Sequence, residues 1–144
     1  MILISHRGNM NGVNKKLENE PTHLQSLSSI GIDVEIDVWF DGDQLFLGHD
    51  EPKYKVSLDF LQNEKFWCHA KNLLALEYML ENKIHCFWHQ SDDYTLTSNG
   101  IIWTYPNRLA TSKCVIVCNT FDDTEYYANL NILGICSDYI GEIK

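Results

Sequence analysis

The run at residues 32–39, IDVEIDVW, alternates without a break. Ile32, Val34, Ile36 and Val38 fall on one face of an extended chain, and Asp33, Glu35, Asp37 and Trp39 on the other. Alternation alone is equally well met by an edge strand that holds its acids in water. The flanking signals change the weighing. Strand patterns at 2–5, 32–40, 65–70, 84–89, 101–104, 113–117 and 133–136 are interleaved with helix patterns. Pro21 opens a helix carrying Leu24, Leu27 and Ile30, which Gly31 stops. A short helix is predicted at 57–62, and Asn72 caps one with Leu73, Leu76, Met79 and Leu80 at helical spacing. Asp122 and Glu125 form a capping-box pattern for a last helix ending near Leu130. Asp41-Gly42 turns the second strand into a hairpin with 44–48.

Strands interleaved with helices argue for parallel pairing through crossovers. In a parallel barrel the outer strand faces lie under helices and must be apolar, so the acids point inward, about 6–7 Å apart along one strand. Carboxylates so placed lose hydration and repel each other. Either one is protonated or a cation sits between them, and hard oxygen ligands suit Mg²⁺ or Ca²⁺.

A barrel of eight strand–helix units takes about 250 residues, whereas this chain has 144. The expected fold is therefore α/β: a single domain over 1–144, a compact, helix-depleted TIM-barrel-like parallel β-barrel with a β-hairpin after strand 2. Several outer helices should give way to short loops after residue 90. The apolar strand faces left bare there predict a homodimer. A formal net charge of −9 without a basic cluster excludes nucleic acid as a partner. There is no apolar run of 18 residues, which excludes an integral membrane protein, and no signal peptide is read at MILISHRG. Five cysteines without a CxxC pair read as reduced core residues, so the expected location is cytoplasmic.

Of six histidines, His6, His49, His69 and His89 stand at or near the C-terminal ends of predicted strands, the end where strand–helix barrels carry their active sites. Imidazole is the side chain best matched to moving protons near neutral pH. His23 and His85 read as structural. Trp39, Trp88, Trp103 and Tyr105 are pocket-wall candidates whose commoner role is core packing.

The residues HRG at 6–8, EN at 18–19, EID at 35–37 and GHD at 48–50 follow one another in the order and spacing of a known family. The chain resembles the glycerophosphodiester phosphodiesterases, within the phosphatidylinositol phospholipase C-like phosphodiesterase superfamily. The likeness is dense over residues 2–50 and thins beyond. It implies a hydrolase that cleaves a small phosphodiester of glycerol or sugar type. It also implies one divalent metal ion (Mg²⁺ or Ca²⁺) held by Glu18, Glu35 and Asp37, His6 and His49 as acid–base pair, and Arg7 and Lys71 on the substrate phosphate. His89 and Asp138 are further candidates for the pocket. The chain departs from the family at His69-Ala70-Lys71, where a Glu-x-Lys strand is usual. His69 either ligates the metal, which would favour Mn²⁺ or Zn²⁺, or bonds the phosphate. Two alternatives stand beside hydrolysis. One is a phospholipase D-like lyase forming a cyclic phosphate, to which the polar mouth loop at 8–17 is poorly suited. The other is a non-catalytic barrel that binds a phosphate or sugar phosphate.

Overall fold

The computed structural model describes residues 1–143. Among them, ten strands form one curled sheet: β1 (Ile2–His6), β2 (Asp33–Asp41), β3 (Gln44–Leu47), β4 (Tyr54–Val56), β5 (Phe66–Ala70), β6 (Cys86–Phe87), β7 (Tyr94–Leu96), β8 (Ile102–Thr104), β9 (Cys114–Cys118) and β10 (Gly134–Ser137). Four α-helices accompany them: α1 (Pro21–Ser29), α2 (Leu58–Leu61), α3 (Leu73–Glu81) and α4 (Phe121–Ala128). Among the described residues, no helix is long and apolar enough to cross a membrane.

The hub is β2, whose length lets it serve three partners. Residues 33–35 pair in parallel with β1, residues 34–38 pair in parallel with β5, and residues 38–41 fold back antiparallel on β3. From β1 the sheet continues in parallel through β10, β9 and β8, and beyond β5 lies β6. These are the seven parallel strands that the sequence pattern predicts.

Closure is where the expected parallel barrel needs correcting. β7 runs antiparallel to β8, and no ladder joins it to β6. That seam is crossed by single bonds, from the Ser98 N–H to the Cys86 carbonyl at 2.8 Å and from the Thr95 hydroxyl to the Trp88 carbonyl at 2.9 Å. The fold is a curled, mostly parallel half-barrel. The cause is local. The predicted 84–89 strand pairs over only Cys86–Phe87, too short a ladder to pair on both edges. Two short strands, β4 and β7, were not read from the sequence, and α4 is capped by Thr120, whose side chain accepts from the Asp123 N–H, not by Asp122.

The alternation in β2 separates two environments as expected. Val34, Ile36 and Val38 lie on the outer face with Leu24 and Leu27 of α1, Ala75 and Met79 of α3, and Leu45 and Leu47 of the hairpin. The inner face holds a second core of Ile4, Trp67, Phe87, Trp103, Val115, Val117 and Cys136. Ile116 and Ile135 form a third with Tyr127 of α4. All five cysteines are buried and unpaired. Between β8 and β9 a loop replaces a helix, leaving an apolar groove along Tyr94, Leu96, Ile102 and Leu109.

Aromatic packing fills the interior beneath the mouth. Trp103 is 2% exposed, stacked on Phe87 with ring centroids 4.5 Å apart and tilted against Trp67 at 5.9 Å. Trp103→Ala should lower unfolding free energy by about 3–5 kcal/mol in urea titration. A loss below about 1 kcal/mol would mean that this aromatic layer is not the core of the half-barrel.

Candidate functional site

The C-terminal ends of the strands meet at one mouth, and backbone hydrogen bonds tie three of its segments to β2. The Arg7 N–H donates to the Glu35 carbonyl at 2.9 Å, the Gly48 N–H to Asp37 at 3.1 Å, and the Lys71 N–H to Val38 at 2.8 Å. Two glycines make the turns possible. Gly8 has φ +92°, and a Cβ there would stand 3.0 Å from the His23 ring. At Gly48 (φ +152°) a Cβ would overlap the Glu51 carbonyl oxygen. The resulting cleft, of about 340 Å³, is lined by His6, Arg7, Glu35, His49, His69, Lys71 and His89, with Phe87, Gln90, Trp103, Tyr105, Val117 and Asn119 completing the wall. It is within the size range of small-molecule sites.

The three acids of β2 have separate fates. Asp33, half-buried at the end of β2 away from the mouth, is held by Lys65 at 2.8 Å and by the Trp67 indole N–H at 2.9 Å. Glu35 (2% exposed) and Asp37 (0%) stand at the mouth beside His69 of β5. The His69 Nδ1 lies 3.5 Å from Glu35 Oε1 and 3.4 Å from Asp37 Oδ1. Arg7 Nε is 3.1 Å from Asp37 Oδ2, and Lys71 Nζ is 3.5 Å from Asp37 Oδ1. Burial opposes the Asp37 charge, but His69, Arg7 and Lys71 outweigh it and hold the carboxyl well below its usual range. Burial likewise opposes a charge on His69. Asp37 and Glu35 reverse that, raising its pKa to about 9, so the imidazolium bridges the two acids.

Two buried carboxylate oxygens, Glu35 Oε2 and Asp37 Oδ1, make no hydrogen bond. Glu35, Asp37 and His69 each present a ligand atom within 4.8 Å of the others. Orphaned hard oxygens next to an imidazole nitrogen fit a divalent cation. Glu18 stands apart from that group. Its carboxylate accepts from the Asn9 amide at 3.0 Å and Lys15 at 3.4 Å and lies 3.9 Å from Arg7, whose guanidinium separates it from Asp37.

His6 and His49 line the same cleft, each backed by a carboxylate. His6 Nδ1 is 2.9 Å from Asp138 Oδ1, and His49 Nδ1 is 2.8 Å from Asp50 Oδ1. This leaves Nε2 as the free face of each ring. Burial weighs against a charged His6, yet the bond to Asp138 and the charge of Glu35 raise its pKa. Asp138 is thus the partner of His6. His89 lies 3.2 Å from Asp92 and stacks on Tyr105 with centroids 3.5 Å apart. Its pKa is lowered, chiefly by burial. His23 keeps a structural place, 2.8 Å from the Gly8 carbonyl, and His85 packs on Trp67.

Two buried asparagines of the site have no role legible in the sequence: Asn9, which donates to Glu18 Oε1 at 3.0 Å and Asp138 Oδ1 at 2.8 Å, and Asn19. The Asn19 Nδ2 donates to Asp37 Oδ2 at 3.0 Å and its Oδ1 accepts from the Asp37 N–H at 2.9 Å. The signal was its place in the EN pair, but its role depends on a left-handed backbone (φ 58°) that turns the side chain onto β2.

Asn19→Gly keeps that backbone accessible and removes only the clamp. It should destabilise by about 1–3 kcal/mol, and an unchanged denaturation midpoint would show that Asp37 needs no such support. A second expectation concerns pH. In chelator the stability contributed by His69 is full below its ordinary value of 6.5 and is lost as pH rises through about 9. His69→Gln should flatten that decline in unfolding titrations, and an unaltered slope would remove the imidazolium bridge. No protein-family model, curated protein or solved structure matches the chain.

Proposed function

We propose that the protein is a metal-dependent phosphodiesterase that hydrolyses a small diester of glycerol or sugar type, with His6 and His49 exchanging protons. The observation that carries this reading is the convergence, in one cleft, of two carboxylate-backed imidazoles, two cationic side chains and a buried carboxylate–imidazole cluster.

Each part has a chemical task. Arg7 and Lys71, now turned toward Asp37, are the cations within reach of a phosphate in the cleft. They neutralise its oxygens and hold it while charge develops in the transition state. Glu35 and Asp37, with His69, are the residues that would hold a divalent ion. When bound, the ion supplies further charge neutralisation and polarises the phosphoryl oxygen. Water adds to phosphorus as the P–O bond to one alcohol breaks. The proton lost by water passes to the Nε2 of one histidine, and the leaving alkoxide takes its proton from the Nε2 of the other. Asp138 and Asp50 accept from the Nδ1–H of each ring and so leave Nε2 as the atom that takes or gives the proton. The neutral wall of Phe87, Trp103, Tyr105 and Val117 receives the alcohol and limits water around the phosphate. Two features favour a water-soluble diester over a lipid: the small cleft and the polar loop that follows Gly8.

The test follows product release from glycerophosphodiesters and from an aryl phosphodiester, after chelation and after return of Mg²⁺, Ca²⁺ or Mn²⁺. Turnover should require the ion and fall by about 10²–10⁴-fold in His6→Ala, with an equal or smaller loss in His49→Ala. Folded protein that binds an ion but turns over neither substrate with any metal would leave the phosphate-binding barrel as the better reading.

A further inference from the structure

We infer that the Glu35–Asp37–His69 cluster selects a first-row transition-metal ion of the manganese, cobalt and zinc class over Mg²⁺ and Ca²⁺, with His69 Nδ1 as the ligand that decides. The inference rests on the reading that this site holds a divalent ion.

The argument begins with how His69 is held. Its Nε2 lies 3.2 Å from the His89 carbonyl oxygen. A carbonyl only accepts, so Nε2 keeps its hydrogen, and Nδ1 is the atom turned to the carboxylates, 3.4 Å from Asp37 Oδ1 and 3.5 Å from Glu35 Oε1; the proton that Nδ1 carries without metal would be released to solvent as an ion takes its place. Phe87 stacks on the ring with centroids 5.0 Å apart and planes 11° from parallel, fixing its orientation. An imidazole whose far N–H is anchored on a carbonyl, with its near nitrogen facing two acids, is held as metal-ligating histidines are held.

The carboxylates are prepared in the same sense. Asn19 and Arg7 occupy Asp37 Oδ2 at 3.0 and 3.1 Å, leaving Oδ1 without a hydrogen bond although the residue is wholly buried. Glu35 Oε2 is likewise unbonded, its nearest cation being His6 Nε2 at 3.9 Å. Glu35 and His69 border the cleft while Asp37 lies behind them. The set is thus three protein ligands with one open side. Lys71 approaches Asp37 Oδ1 at 3.5 Å through a flexible stem, so it can yield that oxygen to a divalent ion.

Chemistry then sets the preference. Ca²⁺ takes six to eight oxygens and Mg²⁺ an octahedron of oxygens that retains several waters. A set of two carboxylates and one imidazole offers few oxygens and spends one position on nitrogen, which suits manganese, cobalt or zinc. Most sites bind zinc more tightly than magnesium, so the order of affinities in the native protein is not diagnostic. What distinguishes this site is that the preference depends on His69.

The test is calorimetric titration of the chelator-stripped protein with Mg²⁺, Ca²⁺, Mn²⁺, Co²⁺ and Zn²⁺, repeated on His69→Gln, His69→Glu and Glu35→Gln. Thermal melts confirm that each variant folds. His69→Gln should weaken Mn²⁺, Co²⁺ and Zn²⁺ by at least about 10–100-fold, the cost known for loss of even an outer-shell partner. Mg²⁺ should change little, and His69→Glu should move the preference toward Mg²⁺ and Ca²⁺. The native protein supplies a second readout should the variants fail to fold. Its Co²⁺ form should show one hyperfine-shifted imidazole N–H in the proton spectrum, protected from exchange by the His89 carbonyl. Equal binding of Mg²⁺ and Mn²⁺, unaffected in His69→Gln but lost in Glu35→Gln, would overturn the inference and leave the divalent site standing. Absence of that N–H from the Co²⁺ form would also overturn it. No binding of any ion to native protein would overturn both readings.

Discussion

Two carboxylates buried at the mouth of a curled sheet set the terms for everything around them. Glu35 and Asp37 lie on the inner face of β2, 2% and 0% exposed, where water cannot solvate their charge. Stripping a carboxylate of its hydration costs several kcal/mol unless partners replace the lost water. Arg7, Lys71, His69 and the Asn19 amide are such partners, and they reach Asp37 from three segments. The electrostatic need of one strand thereby gathers the end of β1, the loop before α1 and the end of β5 at one point.

The same strand explains why a short chain can carry such a site. With three neighbours on β2, the hairpin that presents His49, the β1 end that presents His6 and the β5 end that presents His69 share one scaffold. The far side, from β8 to β10, adds Asp138 and Trp103, which completes the aromatic floor with Phe87 of β6 and Trp67 of β5. The chain saves length there by omitting outer helices, and the open seam at β6 and β7 and the bare groove at Leu96 and Leu109 are the structural consequence. The ladders that carry Arg7, Glu35, Asp37, His49, His69 and Lys71 lie in the first half of the chain.

Much of the fold could be read from the residues. Strict alternation separates an apolar outer face from an acidic inner one, since successive side chains on a strand point opposite ways. Helix boundaries were visible where a capping side chain marked them, as at Asn72, and misplaced where the capping-box pattern at Asp122 and Glu125 competed with Thr120. β7 was missed because three residues with exposed ends carry too little periodicity to separate them from a loop. At the site, Glu35 and Asp37 could be placed by alternation, and His6, His49 and His69 by their positions at strand ends. Glu18 was paired with the metal group by resemblance alone, and its loop turns it instead toward Asn9, Lys15 and Arg7.

By itself the sequence determined the parallel order, the inward acids, the strand-end histidines and the shortage of helices. These follow from local periodicity and turn chemistry, properties of a few neighbouring residues. Only the tertiary structure decided that the sheet stays unclosed, that Asp138 stands behind His6, that Asn19 clamps Asp37, and that His69 turns Nδ1 to the acids. Each of these joins residues from distant segments, and their contact depends on how strands twist and loops return. No spacing along the chain encodes that.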